Sequence, residues 1–550
     1  MSLLIDLFGY LSIVVHGLTI VAQSVAIGSV LFLILLARPK AWLLGDAGPL
    51  IVGDTIRFAV WSALALALCE AVTIALQGAV LVETVDLTWG NVLEASFATA
   101  GLVKMGAALV VVLALTWGGT RVSSVWLLAA AVVELFAATL TTHAAARLDN
   151  RGPLLVATGL HQLGAAIWIG GIPMFVAALA RVHEGGAWRE IGSRFSRLSM
   201  AGVVCILVSG VAMSIAYIGS WDASYGTAYG VMVGAKIAMF GALLLLGLGN
   251  FLVTEHLRRD PEGSVLRMKR FAEVEIGIGV TIFFAAASLT SVPPAVDLTE
   301  DRVTWAEIAE RNTPELPRMT SPDHDVLAIP ALQSKLDAEA AARATAPKPA
   351  FVPGSGELPV RNAADIAWSE YNHHWAGVFV VLIGFLALLN QAGLRWARHW
   401  PLLFLGLAVF LFLRSDPEVW PLGEEGFFVA FRDVEVVQHR FFVIITVLFG
   451  LFEWRVRTGR SRSRWAPLVF PLVGAAGGAA LLTHQHAIAN VKDQLLIELT
   501  HTPLALAAMA AGWARWLEIR ADGRTARIAG WVWPAMFVLI GVILLWYRES

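Results

Sequence analysis

Charge and cysteine are both scarce in this chain. Of 550 residues, 15% are charged and 57% hydrophobic, where soluble domains carry roughly 25% charged residues. The mean hydropathy of +0.69 places the chain in a membrane. A net charge of −2 supplies no basic surface for nucleic acid. The two cysteines, Cys69 and Cys205, both lie inside apolar runs, which excludes a disulfide framework and a Cys-x-x-Cys metal site. No Walker or phosphorylation motif is present, which argues against ATP-driven pumping. The N-terminus lacks a basic region and a small-residue cleavage site, and its apolar stretch runs on to Leu36; it reads as a retained first span.

Fourteen apolar runs are long enough to cross about 30 Å of hydrocarbon. They lie near residues 8–36, 57–82, 97–117, 124–145, 154–180, 199–219, 229–253, 272–292, 374–391, 399–414, 436–454, 466–483, 494–517 and 530–547. The expected fold class is all-α, a polytopic membrane helix bundle in an 8 + 6 arrangement: an eight-helix domain over 1–295, a periplasmic linker over 296–371 and a six-helix domain over 372–550. Arginine and lysine occupy alternate loops, at Arg38 and Lys40, Arg181 to Arg197, Arg258 to Arg270, Arg395 and Arg398, Arg455 to Arg464 and Arg515 to Arg527. By the positive-inside rule those loops are cytoplasmic, so both termini are expected on the periplasmic side of a bacterial inner membrane. The alternation also requires the short run near 399–414 to be a true span.

The segment from Val296 to Tyr371 has the mixed charge and Pro/Gly content of an extended tether, with short amphipathic helices expected at Val303 to Glu310 and Ala331 to Arg343. In the first eight spans, His16, Arg57-Phe58 and Lys104 recur as His161, Arg194-Phe195 and Lys236 at similar separations. This repeat implies a parallel duplication of four helices.

Placed on this topology, nine histidines fall at or just beneath the outer surface: His16, His143, His161, His373, His374, His439, His484, His486 and His501. Imidazole ligates copper, zinc, iron and haem. Glu498 lies three residues before His501 and Glu435 four before His439, so each acid shares a helical face with its imidazole. These eleven residues are the candidate metal ligands. Two classes follow from them: a metal transporter or delivery protein that is not an enzyme, or a membrane redox protein holding haem b or a dinuclear centre. Lys104, Lys236, Glu70 and Glu134 lie inside apolar spans, where an unpaired charge costs on the order of 3 kcal/mol. Pairing is expected, either as interhelical ion pairs such as Lys104 with Glu134 or as part of a translocation pathway. The methionines, without Met-x-x-Met runs, read as packing.

Leu160-His161-Gln-Leu-Gly-Ala-Ala-Ile-Trp168-Ile-Gly170-Gly171, then Arg194-Phe195-Ser-Arg-Leu-Ser, Lys236, and Ser288-Leu-Thr-Ser-Val-Pro293-Pro294-Ala resemble the copper-resistance protein D family over about the first 295 residues. The resemblance implies inner-membrane copper uptake, delivery or tolerance, with copper ion as the cargo and a small periplasmic copper-binding protein as partner. The second half lies outside that pattern.

Overall fold

The computed structural model describes residues 2–182, 185–259, 264–299, 302–322, 334, 338, 341–342, 363–416, 419–423, 426–428, 431, 434–483 and 491–549. Among them are no β-strands, and thirteen helices are long and apolar enough to cross a membrane. This is a polytopic helical membrane protein. The fourth expected span is the exception in length. Its helix, Ser124–Thr139, has 16 residues and ends before His143, which opens a separate short helix, His143–Ala146. The run near 399–414 is present as a 20-residue helical stretch, Arg395–Arg414.

The chain divides into two compact units, the first Met1–Arg302 with two short later segments, the second the remainder. The first unit contains α1 (Ser2–Phe32), α2 (Ala47–Val85), α3 (Ser96–Gly118), α4 (Ser124–Thr139), α5 (Arg151–Trp168), α6 (Ile172–Arg181), α7 (Gly185–Ile218), α8 (Ala228–Arg259) and α9 (Leu266–Leu289). Helix α1 packs on α2 as α5 packs on α7, α3 on α4 as α8 on α9, and α1 on α9 as α5 on α4. That pattern is what a duplicated four-helix unit produces when each copy packs its first helix on the other's last.

Glycine lets α1 and α5 touch. A Cβ at Gly28 would fall 2.5 Å from the Ala166 carbonyl oxygen, and one at Gly170 only 2.0 Å from that of Ser24. Packing this close is characteristic of small residues at membrane helix interfaces. The chain breaks at Ile169–Gly171 between α5 and α6, with Trp168 buried. This accounts physically for the Trp168…Gly170-Gly171 element.

The second unit contains α10 (Trp305–Arg311), α11 (Ala363–Gln391), α12 (Leu403–Arg414), α13 (Val434–Arg457), α14 (Val469–Thr483), α15 (Val491–Arg520) and α16 (Gly523–Leu545). Helix α10 matches the first short helix expected in the tether and starts with a Thr304/Glu307 capping box; most of the second expected helix lies outside the described residues. Helices α11 and α16 cross at Gly377 and Gly541, where a Cβ on either would meet the other's backbone at 2.8 Å. At the far end of this unit Arg457 lies in the core. It pairs with Glu453 at 2.6 Å and sits over Trp400 and Trp533, 5.2 and 5.0 Å from the ring centroids.

Candidate functional site

In the first unit, the buried charges pair differently from the sequence expectation. Lys104 on α3 makes its ion pair with Glu70 on α2, not with Glu134 on α4. Gly101 permits this, because a Cβ there would come within 2.9 Å of Glu70 Oε2. One turn separates Gly101 from Lys104, so the gap faces the same neighbour.

His16 and His161 each lie within electrostatic reach of a lysine, His16 of Lys104 and His161 of Lys236. The histidine–lysine couples of the sequence repeat are thus spatial couples. His161 Nδ1 is 3.1 Å from Ser209 Oγ, whose own hydroxyl donates to the Cys205 carbonyl at 2.6 Å. The imidazole therefore donates through Nδ1 and carries its lone pair on Nε2. His143, outside the long spans, forms a backbone hydrogen bond with Leu289 and rests edge-on to Tyr217 at 6.3 Å. Its Nε2 is buried without a hydrogen-bond partner. Burial holds its pKa below the usual imidazole value.

In the second unit, adjacent histidines on α11 are used in opposite ways. His374 accepts the Arg318 backbone N–H at Nδ1, 2.7 Å, and donates from Nε2 to the Tyr547 carbonyl, 2.8 Å. Both nitrogens are committed, so the ring has no lone pair left for a metal. His373 instead donates Nδ1–H to the Ser369 carbonyl at 2.8 Å, and His501 on α15 does the same to Ile497 at 2.9 Å. Each donation to a carbonyl one turn earlier puts the lone pair of a neutral ring on Nε2, one of the two tautomers in which imidazole ligates metals. His373 and His501 interact electrostatically with each other and both with Glu549. The Glu549 carboxylate accepts from Ser369 Oγ and from the Tyr547 hydroxyl. Burial and the neighbouring Glu549 hold the Tyr547 phenol above its usual value.

His439 on α13 donates Nδ1–H to Asp416 at 2.6 Å, an acid only 8% exposed in its side chain. That places its lone pair, too, on Nε2. The side chain of Glu435 and all of His484 and His486 lie outside the described residues. Glu498 is buried and accepts from Thr502 Oγ at 3.1 Å. Among the described residues no three His, Cys, Asp or Glu side chains converge as a ready metal cluster. A cavity of about 230 Å³ opens beside His374 and Tyr547, with Glu315, Arg318, Glu370 and Arg548 in its wall.

Sequence reasoning missed Asp416, Glu549 and Tyr547. Asp416 is 23 residues from His439 and Glu549 close to the chain's end, so helical periodicity links neither to an imidazole. The segment read by composition as an extended tether supplies Arg318, which holds both His374 and Glu370.

The family match lies in the first unit. Residues 189–289 match the family described as copper resistance protein D. The matched stretch contains α8 with Lys236, all of α9 and most of α7. A relative from Bacillus subtilis (strain 168) named copper transport protein CutJ is 32% identical over 163 residues, 29% of this chain and 29% of that relative. The chain therefore matches under a third of that relative's length. No solved structure matches the chain.

Proposed function

We propose that the protein moves copper across the bacterial inner membrane, taking the ion at the periplasmic side on imidazole Nε2 atoms. The observation that carries this reading is the match of residues 189–289 to the copper resistance protein D family. The naming of the CutJ relative as a copper transport protein supports it.

The chemistry of the donor set fits. His373 and His501, both donating Nδ1–H to a backbone carbonyl and both interacting electrostatically with the Glu549 carboxylate, are donor types that suit copper. Asp416 fixes the ring of His439 in the same tautomer, as carboxylates do for metal-bound histidine. In the first bundle His161 offers the corresponding Nε2. His374 serves the fold instead. A small periplasmic copper-binding protein would deliver the ion to the histidine-bearing side, where the alternation of basic loops supports a location for both termini as well.

The test is to purify the full chain, load it with Cu(I), and measure copper content together with the visible spectrum. Bound copper without a Soret band is expected. A Soret band in protein that binds no copper would replace this reading with a haem-binding one.

A further inference from the structure

Within the first bundle, two carboxylates face one ammonium. Lys104 on α3 is ion-paired with Glu70 on α2, and Glu134 on α4 lies within electrostatic reach of the same ammonium. Helix α3 packs against both α2 and α4. Relative exposures are 3% for Glu70, 4% for Lys104 and 1% for Glu134, so water does not solvate any of them. Glu134 Oε1 is buried without a hydrogen-bond partner. The other titratable groups around the triad are His16 on α1, which faces Lys104, and Cys69, which lies beside Glu70. Neither supplies a second positive charge in its neutral state.

We propose that Glu134 is a proton-binding site: Glu70 and Glu134 share a single negative charge opposite Lys104, and Glu134 holds the proton that makes up the difference. With both acids ionised the triad would carry one uncompensated charge in a medium that cannot solvate it, and a buried carboxylate in that position neutralises. With Glu134 protonated the triad is neutral. The site then has an exchange chemistry: entry of one monovalent cation converts the Glu134 carboxylic acid to a carboxylate and releases one proton, with charge conserved. The protonation itself needs no copper. Only its coupling to copper movement rests on the transport reading.

Infrared difference spectroscopy on the purified full chain tests the site directly. The carbonyl stretch of a protonated carboxylic acid, shifting in D2O, is expected in the wild type and absent from Glu134→Gln. The same band disappears in Glu70→Gln, because Glu134 then becomes the counter-ion of Lys104. It roughly doubles in Lys104→Met, where both acids are neutral. Glu134→Gln replaces one neutral group by another of the same shape and keeps the wild-type thermal midpoint. A wild-type minus Glu134→Gln spectrum without the band, a band that survives Glu70→Gln, or a large loss of stability in Glu134→Gln overturns the proposal. In proteoliposomes, adding Cu(I) releases protons from the wild type and not from Glu134→Gln. Copper flux without proton release overturns the coupling. Absence of copper flux in the wild type overturns the transport reading, and the infrared result still decides the proton site.

Discussion

His373 lies nearly flat against Tyr547, ring centroids 3.8 Å apart and planes 18° from parallel, while its neighbour His374 donates to the Tyr547 carbonyl. One residue near the end of the chain thus holds two consecutive histidines, one by its face and one by its backbone. The stacking orients an imidazole whose lone pair is on Nε2; the hydrogen bond uses up an imidazole altogether.

The two histidines should therefore fail differently. His374→Ala leaves the Arg318 N–H and the Tyr547 carbonyl without their partner, a loss of about 1–3 kcal/mol for each buried group left unsatisfied. A lower thermal midpoint with unchanged copper content is expected. His373→Ala should show the converse. Loss of copper from His374→Ala at full stability would contradict the assignment of its nitrogens.

Removing Lys104 should be costly in a pH-dependent way. Breaking a buried ion pair by deleting one partner costs about 3–5 kcal/mol, here because Glu70 must then hold a proton in the folded state that the unfolded chain releases at neutral pH. Lys104→Met should be destabilised at neutral pH and recover as pH falls and the unfolded state takes up the same proton. Glu70→Gln combined with Lys104→Met removes that proton requirement and should recover stability at neutral pH. Thermal unfolding of the three variants across pH checks both statements.

His143 should make the protein acid-sensitive. Burial holds its folded pKa below its unfolded one, near about 6.5. The unfolded state then binds more protons in the interval between the two, so stability rises with pH across that interval and levels off above it. Acidification below about 6.5 should lower the wild-type midpoint. His143→Gln should flatten that slope. Equal slopes would show that other groups account for it.

Orientation is tested by accessibility. Ser224 lies in the stretch Trp221 to Tyr229, whose one charge is Asp222, and Ser461 lies among Arg460, Arg462 and Arg464. A cysteine at Ser224 should react in intact cells with an impermeant thiol reagent, and one at Ser461 should not. The reverse pattern would put the histidines on the cytoplasmic side.

Helices were legible because hydrophobic length is a property of single segments. Even the short run before Arg414 appears, since loop charge demanded it. The fourth span was read too long, because Leu140 and Ala144 to Ala146 extend its apolar character past the break that separates α4 from His143. Side-chain partners were less legible. Lys104 was given to Glu134 rather than Glu70 because both acids lie in apolar spans and only the packing of α3 against α2, with Gly101 making room, chooses between them. Arg457 and Arg515 were counted with loop charges, yet Arg515 is buried and the Arg457 side chain is only 10% exposed, lying against Trp400 and Trp533; a cation over aromatic faces leaves no periodic trace. The histidines were visible as a set. Their tautomers, which separate His374 from His373, depend on carbonyls and amides that composition does not show.

The central claim is that His373 and His501 hold the copper ion through Nε2. Anaerobic Cu(I) titration of the purified full chain against a competing chelator measures it most directly. His373→Ala, His501→Ala and the double variant should each lose affinity by at least about tenfold, with the fold intact by thermal midpoint. The double variant should lose little beyond either single change, as residues sharing one site do. Wild-type affinity in the double variant, with the protein folded, would contradict the account.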